Sequence, residues 1–286
     1  TNHRDIVLDA SFIKLAFLRH SMPTTEIAIG NNLLIFDWIS DLVRLNKSFI
    51  VKRNTGMREA LQAAKQLSGY IHHAILDKKQ SVWIAQREGR AKDSSDHTQE
   101  ALIKMLALGG HSGTFIDNLK EVNLLPVSIS YEYDPNDYLK AREFLLKRRD
   151  PNFKKSQRDD LFSMETGLLQ HKGKVHFQMT PRINQKLDQI GDFKDTNVAA
   201  HNVVRIIDQA IHRSYEIFEV NYIAFDLLNK TNRFERKYTS EQKEQFIDYL
   251  NTQLDKVDVQ DVTTEERDYM ITLMWTMTPT PRLFLK

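Results

Sequence analysis

The chain opens on Asn2-His3-Arg4-Asp5-Ile6-Val7-Leu8-Asp9, which puts one imidazole near two carboxylates. If a helix starts close to Asp5, Asp9 lies one turn in and can face back toward the loop that carries His3. A carboxylate on one ring nitrogen fixes the tautomer and makes the second nitrogen more basic. A base that removes a proton from a hydroxyl needs that arrangement. Further on, Arg53 closes one apolar run, and Glu88-Gly89-Arg90 follows another. The two guanidinium groups offer planar, bidentate donors of the kind that hold phosphate. Gly89 allows the backbone to approach a ligand closely, and Glu88 is placed to orient Arg90 or an acceptor hydroxyl.

The elements that must hold these residues can be traced from periodicity. Asp5 reads as an N-cap, with Ile6, Phe12, Ile13 and Ala16 as the apolar stripe behind it. Apolar runs at 26–30, 48–51, 81–85 and 123–130 read as strands. Between them, 33–45, 57–76 and 97–108 carry helical spacing. This alternation predicts an α/β fold, a mostly parallel central sheet flanked by helices, with function gathered at the carboxyl ends of the strands. Arg53, Glu88 and Arg90 fall there. The second half is richer in helix: 134–149, then one long helical pattern over 197–228, then 240–254, with one further strand at 174–180. A basic cluster, Lys147-Arg148-Arg149 continuing through Lys154, Lys155 and Arg158, joins the two halves and could meet anionic headgroups.

Composition narrows the chemistry. The 286 residues carry 40 Lys and Arg against 38 Asp and Glu, a net charge of +2 that favours no particular partner and gives no reason to expect nucleic acid. Cysteine is absent, so disulfides, thiolate metal sites and a cysteine nucleophile are excluded. The ten histidines show no metal-ligand spacing, and there is no Gly-rich nucleotide loop. No apolar run reaches the roughly 18 residues needed to span a bilayer, and no signal peptide is visible. The chain starts without Met, which reads as an N-terminally truncated fragment.

Four segments, in order, resemble the motif blocks of the glycerolipid acyltransferases, which acylate glycerol 3-phosphate and 1-acylglycerol 3-phosphate. Asn2-His3 through Asp9 resembles the first block, although five residues rather than four separate His3 from Asp9. Lys47 to Arg53 resembles the second, Glu88-Gly89-Arg90 the third, and Leu125-Pro126-Val127-Ser128-Ile129 the fourth. The wording around Trp83 to Lys92 is similar to bacterial proteins of this kind. The resemblance covers roughly the first 135 residues. It implies an acyltransferase core over 1–150, continued by a largely helical region over 151–286. It further implies His3 and Asp9 as the catalytic pair, Arg53, Glu88, Gly89 and Arg90 as acceptor-binding residues, and no metal or resident cofactor. The donor would be acyl-CoA or acyl carrier protein, and the acceptor a membrane lipid precursor reached peripherally from the cytoplasmic side. Two alternatives stand beside it: a lipid- or phosphate-binding module without activity, and an ester or thioester hydrolase using the same histidine.

Overall fold

A computed structural model describes residues 1–31, 34, 37–52, 56–93, 95–190 and 195–277. It is mixed α/β. The first half runs α1 (Leu8–Arg19), β1 (Glu26–Gly30), α2 (Asp37–Leu45), β2 (Ser48–Val51), α3 (Met57–Leu76), β3 (Val82–Trp83), α4 (Glu100–Ala107), α5 (Phe115–Glu121) and β4 (Val127–Tyr131). Then follow α6 (Asp137–Arg149), α7 (Gln157–Leu169), β5 (Val175–Met179), α8 (Asn184–Ile190), α9 (Thr196–Arg213), α10 (Glu219–Asn229), α11 (Ser240–Leu254) and α12 (Thr264–Met277).

A three-stranded parallel sheet, ordered β2-β1-β3, pairs Ile27 with Ser48 on one side and with Trp83 on the other. Its connections are helices α2 and α3, as parallel strands require. The expected fourth strand does not extend this ladder. β4 pairs antiparallel with β5, from Val127 opposite Met179 to Tyr131 opposite Val175. The long helical pattern over 197–228 is likewise two helices, broken between Arg213 and Glu219, where the Ser214 carbonyl accepts from the Ser128 hydroxyl on β4.

Turns are set by left-handed residues. Lys79 at φ 54° ends α3 ahead of β3, and Asn123 at φ 57° ends the α5 segment ahead of β4. Three apolar clusters fill the interior. One lies among α3, α4, α5, α8 and α9, a second among α6, α10, α11 and α12. The third, Ala10, Ile13, Ile27, Trp83 and Val127, lies under α1 where the parallel sheet meets the β4–β5 ribbon. Among the described residues, no helix is long and apolar enough to cross a membrane.

Candidate active site

The first three residues close the seam between the parallel sheet and the ribbon. The Thr1 nitrogen donates to the Ile84 carbonyl at 3.1 Å, and the Gln86 N–H donates to the Thr1 carbonyl at 2.7 Å. On the other side, the Asn2 carboxamide accepts from the Ile129 N–H at 2.7 Å and donates to the Ile129 carbonyl at 2.9 Å. Asn2 therefore satisfies one β4 residue as a neighbouring strand would. The His3 carbonyl then accepts from the Ala91 N–H at 2.7 Å, which ties it to the loop carrying Glu88, Gly89 and Arg90.

His3 projects from this seam, its side chain 14% exposed, with Nδ1 2.8 Å from Asp9 Oδ2. Asp9 is fully buried. The same oxygen accepts the Arg4 N–H at 2.7 Å and the Asp5 N–H at 3.2 Å, while Oδ1 accepts the Tyr131 hydroxyl at 3.1 Å. Burial and the nearby Asp9 and Asp5 charges hold the Tyr131 phenol far above its ordinary range, so it stays a donor. An acceptor surrounded by donors requires Nδ1 to carry a proton, so in the neutral ring Nε2 is the nitrogen with the open lone pair. The Trp83 ring packs edge-on against the imidazole at 5.8 Å between centroids and limits its rotation.

The extra residue between His3 and Asp9 is absorbed before the helix. Asp5 Oδ1 accepts from Val7 N–H at 2.9 Å and Leu8 N–H at 2.8 Å, so the chain turns there and α1 begins at Leu8. Asp5 is thus a cap, and Asp9 is the partner of His3. The Asp5 carboxyl is pushed up by burial and by Asp9, with the two backbone amides and Arg90 opposing. Its second oxygen has no hydrogen-bond partner among the described residues and faces Gly167 of α7. A Cβ at Gly167 would sit 2.1 Å from that oxygen, so only glycine lets α7 pack here.

Arg90 lies on this same side, close enough to Asp5 and Lys140 for their charges to interact. With the Asn136 carboxamide oxygen turned toward it, Arg90 Nη1 donates at 3.2 Å, and the Asn136 amino group then donates to the Ser163 carbonyl at 3.0 Å. Buried Lys140 ties down the loop by donating to the Ala91 carbonyl at 2.8 Å and pairing with Asp134. Gly89 adopts φ 74°, a conformation that side-chain-bearing residues rarely take. Glu88 is exposed, and its N–H donates to Gln99 Oε1 at 3.1 Å. Arg53 lies outside the described residues.

Behind Trp83 a mostly apolar cavity of about 540 Å³ runs along β3. Its wall includes Ile13, Phe17, Ile71, Ile103, Val127 and Ile207, and toward the seam Thr1, Trp83 and Gln86. Volume and lining suit a ligand with a long apolar part.

Asn2, Trp83, Tyr131, Asn136 and Gln86 are the site residues that sequence reading passed over. Asn2 alone carried a local signal, since a short carboxamide directly before a catalytic-type histidine is placed to anchor it. Among the described residues, no group of three His, Asp or Glu side chains is gathered to hold a metal ion. Compared with protein-family models, with curated proteins and with solved structures, the chain matches none.

Proposed function

We propose that the protein is an O-acyltransferase that moves a fatty acyl group from a thioester, on coenzyme A or acyl carrier protein, to the hydroxyl of a glycerophosphate-type acceptor. The observation that carries this reading is the His3–Asp9 pair. Its imidazole touches Trp83, which also lines the apolar cavity, and the neighbouring Asp5 carboxyl interacts with the charge of Arg90. His3 Nε2 takes the acceptor's hydroxyl proton as the oxygen attacks the thioester carbonyl, whose π pair moves onto its own oxygen. When that intermediate collapses, the carbon–sulfur bond breaks and the thiolate leaves with the proton from His3. An ester and a free thiol result, with no covalent enzyme intermediate. Arg90 provides the planar fork for the acceptor's phosphate, with Asn136 fixing its orientation.

Peripheral attachment to a bilayer belongs to the same reading. At the end where β3 begins, Met22, Leu125 and Met179 line the cavity and are exposed, with Lys79 and Arg182 beside them and Leu18 and Arg19 next along α1. Apolar side chains interleaved with cations suit an anionic lipid surface. The Lys147–Arg158 cluster suits it less. Arg148 pairs with Glu265, Arg149 with Glu266, and Lys147 and Lys155 share Glu143.

The test is release of free thiol from an acyl thioester with and without glycerol 3-phosphate or 1-acylglycerol 3-phosphate. Release that needs the phosphorylated acceptor supports the transferase. Release without an acceptor makes the protein a hydrolase, and no release with any acceptor removes both activities.

A further inference from the structure

We infer that the apolar cavity binds one long-chain carboxylate of the fatty-acid class, with its chain inside and its head at Lys79 and Arg182. His3 does not line this cavity, so the binding is independent of acyl transfer. Three stretches of its wall grade in the same direction. From the mouth inward, β3 passes from exposed Ser81 through half-buried Val82 to buried Trp83. The α3 side passes from exposed Lys79, just beyond the helix, through half-buried Ile75 to Ile71, which is 2% exposed. The approach to β4 passes from exposed Leu125 to buried Val127. The cavity therefore opens where β3 begins and deepens along the strands, so a chain enters it tail first.

Charge decides what the head must be. Among the described residues, the only charged side chains on the cavity wall are Lys79 and Arg182, and both are exposed at the open end. Lys79 Nζ donates to the Leu76 carbonyl, and one Arg182 nitrogen reaches Asn123 Oδ1 at 3.5 Å. Neither meets a carboxylate among the described residues. Long cationic side chains lay their stems on apolar surface and keep their heads in water. Here they rim an apolar cavity of about 540 Å³ whose wall holds no Asp or Glu. That volume lies within the span of small-molecule sites, and a single anionic head at the rim matches both charges. A carboxylate accepts from the Arg182 fork through its two oxygens, while Lys79 supplies a point charge.

The experiment measures binding of monomeric decanoate, dodecanoate and tetradecanoate by calorimetry without vesicles, with protonated dodecylamine as the cationic control. Affinity should rise about fourfold per added CH₂, the roughly 0.8 kcal/mol of a buried methylene, and dodecanoate should outbind the amine. Lys79→Gln combined with Arg182→Gln should weaken dodecanoate about 3–10-fold, as loss of two exposed charge pairs does, with Tm unchanged. For orientation, 12-bromododecanoate should quench tryptophan fluorescence and 2-bromododecanoate should not, and Trp83→Phe should abolish that quenching. No binding of any alkanoate, equal binding of the amine, or full affinity in the double variant overturns the assignment. Stronger quenching by the 2-bromo ligand reverses the orientation and overturns it too. So does binding seen only with vesicles, which makes Lys79 and Arg182 a bilayer contact alone. None of these outcomes alters the thiol-release test of acyl transfer.

Discussion

Three side chains around His3 have separable roles, and substitution should separate them. His3→Ala should lower acyl transfer by about 10²–10⁴-fold with little change in Tm, because the ring's only bond to the described residues is to Asp9. Near-normal turnover in that variant would end the mechanism. Asp9→Asn should lower both turnover and stability, since Asp9 also receives two backbone amides and the Tyr131 hydroxyl. Asp5→Asn keeps an acceptor for the cap and leaves the His3–Asp9 bond alone, so turnover should fall far less than in Asp9→Asn. Arg90→Lys replaces a planar fork with a point charge. It should raise KM for a phosphorylated acceptor while sparing the donor; equal losses with a phosphate-free alcohol would make Arg90 structural.

Between elements, the contact of α6 with α11 and α12 can be read by titration and by charge reversal. Asp137 of α6 is buried and accepts the Tyr249 hydroxyl of α11 at 2.7 Å. Burial, with Asp134 nearby, pushes its carboxyl from 3.8 up to about 7, against the Tyr249 hydrogen bond. Between those two values the folded state holds a proton that the unfolded state has released, so stability falls as pH rises. Asp137→Asn keeps an acceptor for Tyr249 and removes the buried charge. Its stability relative to wild type should therefore rise from about pH 4 to pH 7 and level off above. A constant difference in urea midpoint across that range would contradict the assignment. Arg149 reaches Glu266 through two nitrogens, each at 2.7 Å from one carboxylate oxygen, and Arg148 meets Glu265 at 2.7 Å. Replacing both arginines by Glu should lower Tm by repelling α12.

For the molecule as a whole, the proposed attachment to a bilayer can be tested face by face. Leu18 is 63% exposed and Met22 50%, beside the mouth rimmed by Leu125, Met179, Lys79 and Arg182. Leu18→Glu combined with Met22→Glu should sharply reduce sedimentation with anionic vesicles. The Arg148→Glu, Arg149→Glu variant should sediment like wild type below its Tm. Salt should release only part of the wild type. Screening shortens the electrostatic reach from about 10 Å at 0.1 M to about 3 Å at 1 M but leaves apolar insertion in place. Equal loss of binding in both variants, or none in either, would move the attachment elsewhere.

What could be read along the chain was what local spacing controls. The cap at Asp5, the approach of Asp9 to His3, the three parallel strands and the helical C-terminal region all follow from side-chain periodicity and short-range hydrogen bonds. What tertiary structure alone decided was which distant groups become partners. Asn2 meets Ile129 across 127 positions, and Arg149 meets Glu266 across 117. A basic run in the sequence thereby becomes an interhelical clamp, and a strand expected in the parallel sheet turns to pair with β5. Likewise Trp83 and Gln86 look like ordinary strand and loop residues until α1, α3, α4 and β4 close around them. Local pattern says which face of an element is apolar. Which faces meet, and which buried polar group is left without a partner, depends on packing the whole chain at once.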